Sequence, residues 1–304
     1  MLTVSNYHYI REHFNFEYPS IFGVTPKCFE NQLLKLKNLG DFITPLDLIN
    51  NINSVLTSKN NYYLITFDDG LKEQFEYALP ILDAHNISAI YFLNSINFKE
   101  RRVSTVHKIH LLRSIIPPSA FYKKIQNFYK VRFTNQEKET AISIYRFDDS
   151  SSAELKYLLN FKIPFSKQET IINNIFTEYF NEQNVLNDLY MNEDNIKYLA
   201  SIGCLGSHTH SHFPLGLLDE ASMLNELKQS KLYFESLTNS KIESVAYPYG
   251  SKEACTDLVF KQAKTANYKI GFTTTPGTNK DTDKNLALMR FDCNDLPGGK
   301  NFRS

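Results

Sequence analysis

Residues 62–70 read YYLITFDDG, an almost unbroken apolar run that stops at Asp68, Asp69 and Gly70. A run of this length without polar alternation is how a strand buried on both faces reads, and the turn residues mark its C-terminal end. A second such run, ISAIYFL at 87–93, follows, and between the two residues 71–85 carry Phe75, Ala78, Leu79 and Leu82 at helical spacing. Strand, helix and strand in that order predict a parallel sheet of the α/β class. Pro80 is expected to kink the intervening helix or to mark its last turns.

Outward from this unit the alternation is interrupted and then resumes. Residues 98–195 are rich in Lys, Asn, Phe and Tyr, with helix-like stretches at 106–116 and 170–179 and with breaks at Pro117-Pro118 and 148–152. They read as a mainly helical insertion into a barrel built from 1–97 and 196–304. After it, Met223, Leu224, Leu227, Phe234 and Leu237 form a helical stripe, 244–247 and 268–273 (YKIGFT) read as strands, and 288–292 reads as a final strand with Arg290 and Asp292 on one face. Barrel sites are built at the C-terminal ends of the strands, so an insertion following the strand at 87–93 is expected to cap that mouth. A docking surface for another protein or a second subunit is the other reading of it. No repeat of 20 to 50 residues is present, which excludes a solenoid or propeller.

Composition narrows the partners. The 304 residues are 42% hydrophobic and 22% charged, enough apolar content to fill a core, and 33 Lys and Arg balance 33 Asp and Glu. That balance gives no net field to draw nucleic acid or an anionic membrane. No apolar run approaches the roughly 18 residues of a membrane span. The opening MLTVSNYHYI lacks the features of a secretory signal, so a cytoplasmic location is expected. Cys28, Cys204, Cys255 and Cys293 are scattered without a CxxC pair, which argues for reduced thiols rather than a zinc ribbon or disulfide framework.

Two segments carry chemistry. Asp68 and Asp69 are adjacent carboxylates that repel when ionised. Either they form a solvated bend, or one binds a cation while the other takes a proton, because successive side chains of a strand point in opposite directions. The second segment, GSHTHSH at 206–212, places three of the eight histidines within five residues. Imidazoles suit zinc, and with a carboxylate from elsewhere they make a catalytic site that keeps a position open. A polar loop merely rich in histidine is the alternative. His107 and His110, three residues apart on a predicted helix, are expected to be exposed on one face.

Taken together, TFDDG at 66–70, SHTHSH at 207–212, matching a His-Ser/Thr-x-x-His pattern, and YPYG at 247–250 resemble the polysaccharide deacetylases that share the NodB homology domain. SAIYFLN at 88–94 and GFTTTPGT at 271–278 fit the flanking strands, and the likeness covers about 1–97 and 196–297. The resemblance implies a distorted (β/α) barrel with the helical insertion added to it. It implies metal-dependent hydrolysis of an N-acyl group, expected to be N-acetyl, from an amino sugar of a cell-surface glycan or its nucleotide-linked, lipid-linked or oligosaccharide precursor. One divalent ion, expected to be zinc, would be held by Asp69, His208 and His212. Asp68 would be the general base, and the Tyr249 backbone amide would hold the oxyanion. Tyr247 and His107 are set beside Tyr249 as substrate contacts. His8 follows a short N-terminal strand where the family often has a Tyr-His pair, which would put it beside the metal.

Two departures stand out. Ala246 occupies the place of the family's arginine before Pro-Tyr-Gly, and Arg290 is the candidate substitute. No histidine follows His212, so the family's usual general acid is missing and another group must protonate the leaving amine. A non-catalytic glycan-binding module and a metal-dependent phosphoesterase are the competing functions.

Overall fold

The computed structural model describes residues 1–14, 21, 23–146, 148–280 and 284–303. The strands are β1 (Leu2–Tyr7), β2 (Tyr9–Ile10), β3 (Gly23–Val24), β4 (Asp41–Phe42), β5 (Tyr62–Asp68), β6 (Ala89–Leu93), β7 (Leu205–Ser207), β8 (Ser244–Ala246), β9 (Ile270–Phe272) and β10 (Phe291–Asp292). Among the described residues eight of them form one parallel sheet in the order β10-β1-β5-β6-β7-β8-β9, with β4 also on β5. This is the expected α/β architecture, a distorted (β/α) barrel with helices on its outside.

The two decisive runs became β5 and β6, paired in register from Ile65↔Ala89 to Asp68↔Phe92. The segment between them is not one α-helix. A π-helical turn at Gln74–Ala78 passes into an α-helix at Leu79–Ala84 with Pro80 in its first turn. Pro80 therefore begins the α-segment rather than ending the helix. The final strand is also shorter than expected. Leu288 bridges Phe272, and only Phe291–Asp292 pairs, with Ser5 and Asn6 of β1. Segment 288–292 thus runs from one edge of the sheet to the other. Arg290 and Asp292 do not share a face: Arg290 is wholly buried, whereas Asp292 is exposed and caps the 3-10 turn Cys293–Asp295.

Period-two alternation sorts each strand onto two faces. Tyr7, Ile65, Phe67, Ala89, Tyr91, Leu93, Leu205 and Val245 pack beneath the outer helices, with Phe67 stacked on Tyr91 at 4.9 Å. Leu2, Val4, Leu64, Ile90, Phe92, Ala246, Ile270, Phe272 and Leu288 form a second cluster on the opposite face. Along that face side chains turn polar toward the C-terminal strand ends: Val4 gives way to Asn6 on β1, and Leu64 to Thr66 and Asp68 on β5. Apolar layers below and polar groups above put the chemistry at the mouth.

The chain divides into two compact units. One comprises Met1–His13, Gly23–Arg102 and Leu186–Ser304; the other is built on Val103–Val185. Residues 98–102 and 186–195, read from sequence as insertion, fall in the first unit, where Phe98 meets Tyr190 and Phe234 edge-on at 6.4 and 6.1 Å. The second unit is helical, with Thr105–Ile115, Pro118–Phe128, Asn135–Ile144, Ser150–Tyr157 and Phe165–Phe176 packed around Leu112, Phe121, Ile125, Leu155, Ile172 and Phe176. His107, expected to be exposed, is completely buried there. Among the described residues no helix is long and apolar enough to cross a membrane.

Candidate active site

β5 ends in a turn that sets two carboxylates in different environments. Asp69 has φ +81° and Gly70 φ +65°, and a Cβ at Gly70 would come within 2.5 Å of Leu93, so glycine is required there. Asp68 stays on the inner face and Asp69 swings out of the strand. Both are almost fully buried.

Asp68 is met by Arg290 in a fork: one guanidinium nitrogen donates to Oδ1 and the other to Oδ2, each at 2.8 Å. The same guanidinium donates to Asn6 Oδ1 and Thr66 Oγ1 at 3.2 Å and to the Thr273 carbonyl at 2.9 Å. Pairing and hydrogen bonding of this kind are what let an arginine lie buried. Burial pushes the Asp68 carboxyl up, but Arg290, then His208 and His8, outweigh it and hold the group below the ordinary carboxylate range. Asp68 is therefore an ionised carboxylate.

Asp69 faces the histidine loop. Its Oδ1 lies 3.3 Å from His212 Nε2 and 3.7 Å from His208 Nε2, and the three residues offer donor atoms that all fall within 4.8 Å of one another. Donors about 2.0–2.2 Å from a tetrahedral zinc would stand at comparable separations. Two further observations fit a cation. His208 commits Nδ1 to the Ala246 carbonyl at 2.7 Å, which fixes the ring and leaves Nε2 for a ligand. Burial lowers the His208 pKa to about 4, partly opposed by Asp68, so its ring is a neutral donor at pH 7. The donor set fits the expected divalent ion.

His8 completes the mouth. Half-exposed at 40%, its Nε2 lies 4.0 Å from both Asp68 Oδ2 and Asp69 Oδ2. Gln74 holds it there from the π-helical turn, donating to the carbonyls of His8 at 2.9 Å and Asp68 at 2.6 Å. Glu73 secures the same segment by accepting from the Ile10 amide at 2.7 Å and pairing with Arg11 at 2.5 Å.

The YPYG turn lies on the other side. Tyr249, at φ +63°, sets its ring 5.3 Å from that of His212, and Thr274 fixes the turn by donating to the carbonyls of Tyr249 at 2.9 Å and Gly250 at 3.2 Å.

A search of known proteins matches residues 173–271, which include His208, His212 and Tyr249, to the polysaccharide deacetylase family profile. The match spans 99 of the 304 residues. YxkH of Bacillus subtilis, itself named as a polysaccharide deacetylase, is 28% identical over 102 residues, covering 33% of this chain and 36% of that relative. Similar solved structures cover more of the chain. The deacetylase PplD of Streptococcus pyogenes, solved with acetate, aligns at a TM-score of 0.60 and 18% identity over 96% of this chain and 91% of its own. IcaB of Ammonifex degensii aligns at 0.57 and 16% identity over the same shares of 96% and 91%. At such identities these alignments speak to the fold, the NodB-type barrel.

The barrel thus gathers Asp68, Asp69, His208, His212, His8, Arg290 and Tyr249 around one mouth. Tyr247 does not join them as a substrate contact. Its side chain is fully buried, packs at 5.5 Å against Phe260 and donates its hydroxyl to the Leu286 carbonyl at 2.8 Å, which makes it a core residue. His107, with no exposed surface, likewise offers nothing to a ligand. Sequence reading missed Gln74 and Glu73, and it treated His210 as a variable position of the histidine motif. No local pattern marks any of them.

Proposed function

We propose that this barrel hydrolyses an N-acyl group, N-acetyl in the first instance, from an amino sugar of a cell-surface glycan or its precursor, with one divalent ion held by Asp69, His208 and His212. The observation that carries this reading is the pairing of the three-donor cluster with a second carboxylate, Asp68, kept ionised by Arg290 and not needed as a ligand. PplD, solved with acetate, is consistent with an acetyl product.

A bound divalent ion would supply Lewis acidity, polarising the acyl carbonyl and making water a better nucleophile at neutral pH. The imidazole pair with a single carboxylate favours zinc. The chain's own groups do the rest. Asp68 takes the proton from water as its oxygen adds to the acyl carbon. The Tyr249 backbone N–H is the donor available to the oxyanion. As the carbon–nitrogen bond breaks, the amine needs a proton, and His8 Nε2 stands 4.0 Å from both carboxylates to give it. Acid and amine are the products. His8 thereby fills the role that the absence of any histidine after His212 leaves open.

Phosphoester hydrolysis normally uses two metals, and the described residues hold one cluster of three donors. A pure binding module would have no use for an ionised Asp68 outside the ligand set. The test is to incubate the metal-loaded protein with N-acetylated sugar nucleotides, N-acetylated oligosaccharides and sugar phosphates, measuring acetate and phosphate separately. Acetate release that Asp68→Asn abolishes supports the proposal. Phosphate release, or neither product, overturns it.

A further inference from the structure

The loop that presents both histidine donors holds two non-glycine residues in the left-handed region, Thr209 at φ +64° and His212 at φ +61°. Such conformations persist only where the surroundings over-determine them. Here the restraint comes from outside the donor cluster. Glu226, on the helix Glu220–Thr238, accepts from the backbone N–H groups of His210 at 3.1 Å and Ser211 at 2.8 Å and from the Ser211 hydroxyl at 2.6 Å. The His210 ring is buried with both nitrogens engaged, Nε2 with Glu100 Oε1 at 2.9 Å and Nδ1 with Ser95 Oγ at 2.7 Å. From the same side the backbone N–H groups of Ser95 and Ile96 donate to the carbonyls of Thr209 at 3.2 Å and His210 at 3.0 Å.

We propose that His210, clamped by Glu100 and Ser95 and backed by Glu226, is a positioning residue that shapes the 207–212 loop for the ion before any ion arrives. The proposal rests on reading Asp69, His208 and His212 as the cation site. A loop whose shape is set by protein contacts has little freedom to lose when it binds, so ion affinity is not spent on ordering the ligands. Removing the ring frees the stretch between the two donors to leave its left-handed conformation. Affinity then falls although every ligand remains.

The test titrates zinc into metal-stripped full-length wild type, His210→Ala, His210→Gln, Glu226→Gln and His208→Ala. The melting temperature of each stripped protein and the visible spectrum of each cobalt-loaded one are recorded alongside. Wild type is expected to bind one zinc and His208→Ala to lose it. His210→Ala should bind at least about 10-fold more weakly, with the melting temperature of the stripped protein nearly unchanged and an altered cobalt spectrum. Glu226→Gln, nearly isosteric, should weaken binding less and in the same direction. His210→Gln, whose amide can still meet Glu100, should recover part of the affinity. Wild-type affinity in both His210→Ala and Glu226→Gln overturns the proposal, as does a loss of affinity matched by a collapse of the stripped protein's melting temperature. If His210→Ala does not fold, Glu226→Gln decides alone. If wild type binds no zinc, or His208→Ala keeps full affinity, the cation-site reading itself has failed and the positioning role falls with it.

Discussion

Arg290 and Asp68 form a buried ion pair in which neither partner can be removed without stranding the other. Breaking such a pair from one side typically costs about 3–5 kcal/mol. Arg290→Lys is therefore the more informative change, because an ammonium keeps the charge but cannot make the two-pronged contact at 2.8 Å. It should raise the Asp68 pKa and move the acid limb of kcat/KM to higher pH with it. An unmoved limb removes Asp68 from the role of base. Asp68→Asn should cut turnover by about 10²–10⁴-fold with the ion retained, as metal analysis beside a rate assay would show. His208 makes a third prediction. Its folded pKa, about 4, lies below the ordinary imidazole value of 6.5, so at intermediate pH the unfolded chain binds more protons than the folded one. Metal-free protein should lose about 3 kcal/mol between pH 6.5 and 4 from this group, and urea titrations of His208→Gln should show a shallower fall across that window.

At the scale of elements, the decisive feature is the π-helical turn at Gln74–Ala78. It places Gln74 under both His8 and Asp68, tying the proposed proton donor to the proposed base through their carbonyls. Gln74→Leu should lower kcat by about 10-fold or more with KM little changed, and should cost nothing further in a His8→Ala background, as a double-mutant cycle would report. Equal costs in both backgrounds would reduce Gln74 to a packing residue. The strands were readable because β5 and β6 are buried on both faces and carry continuous apolar runs. The π-turn was not, since over one turn its apolar spacing does not differ enough from α-helical spacing to be told apart. Nor was Gln74's role, because its partner His8 lies 66 residues away in sequence. The donor cluster was legible from two short motifs, whereas the anchoring of its loop depends on Glu100 and Glu226, outside both motifs. Tyr247 was misplaced because YPYG puts it next to Tyr249, while its side chain turns into the core.

Over the whole chain, two units with separate cores should melt as two transitions in calorimetry. Every candidate donor lies in the barrel unit, so zinc at about 100 times its dissociation constant should stabilise that transition alone by about 2.7 kcal/mol. A shift of both transitions would mean that the units are thermodynamically coupled. That two units exist was legible from the change in composition near residue 98. Their boundary was not, because Phe98 and Tyr190 look like insertion residues in sequence yet pack in the barrel. One feature of the sheet also bears on how the protein is made. β1 lies between β5 and β10, so His8 and Arg290 reach Asp68 from opposite ends of the chain. A ribosome reading the message has delivered Asp69, His208 and His212 long before it reaches residue 290. A nascent chain halted in that interval holds the three proposed donors but lacks the guanidinium that pairs with Asp68. On the proposed reading, translation order therefore puts the arrival of the three donors before that of the guanidinium, and a product terminated before residue 290 lacks the partner that holds the proposed base ionised.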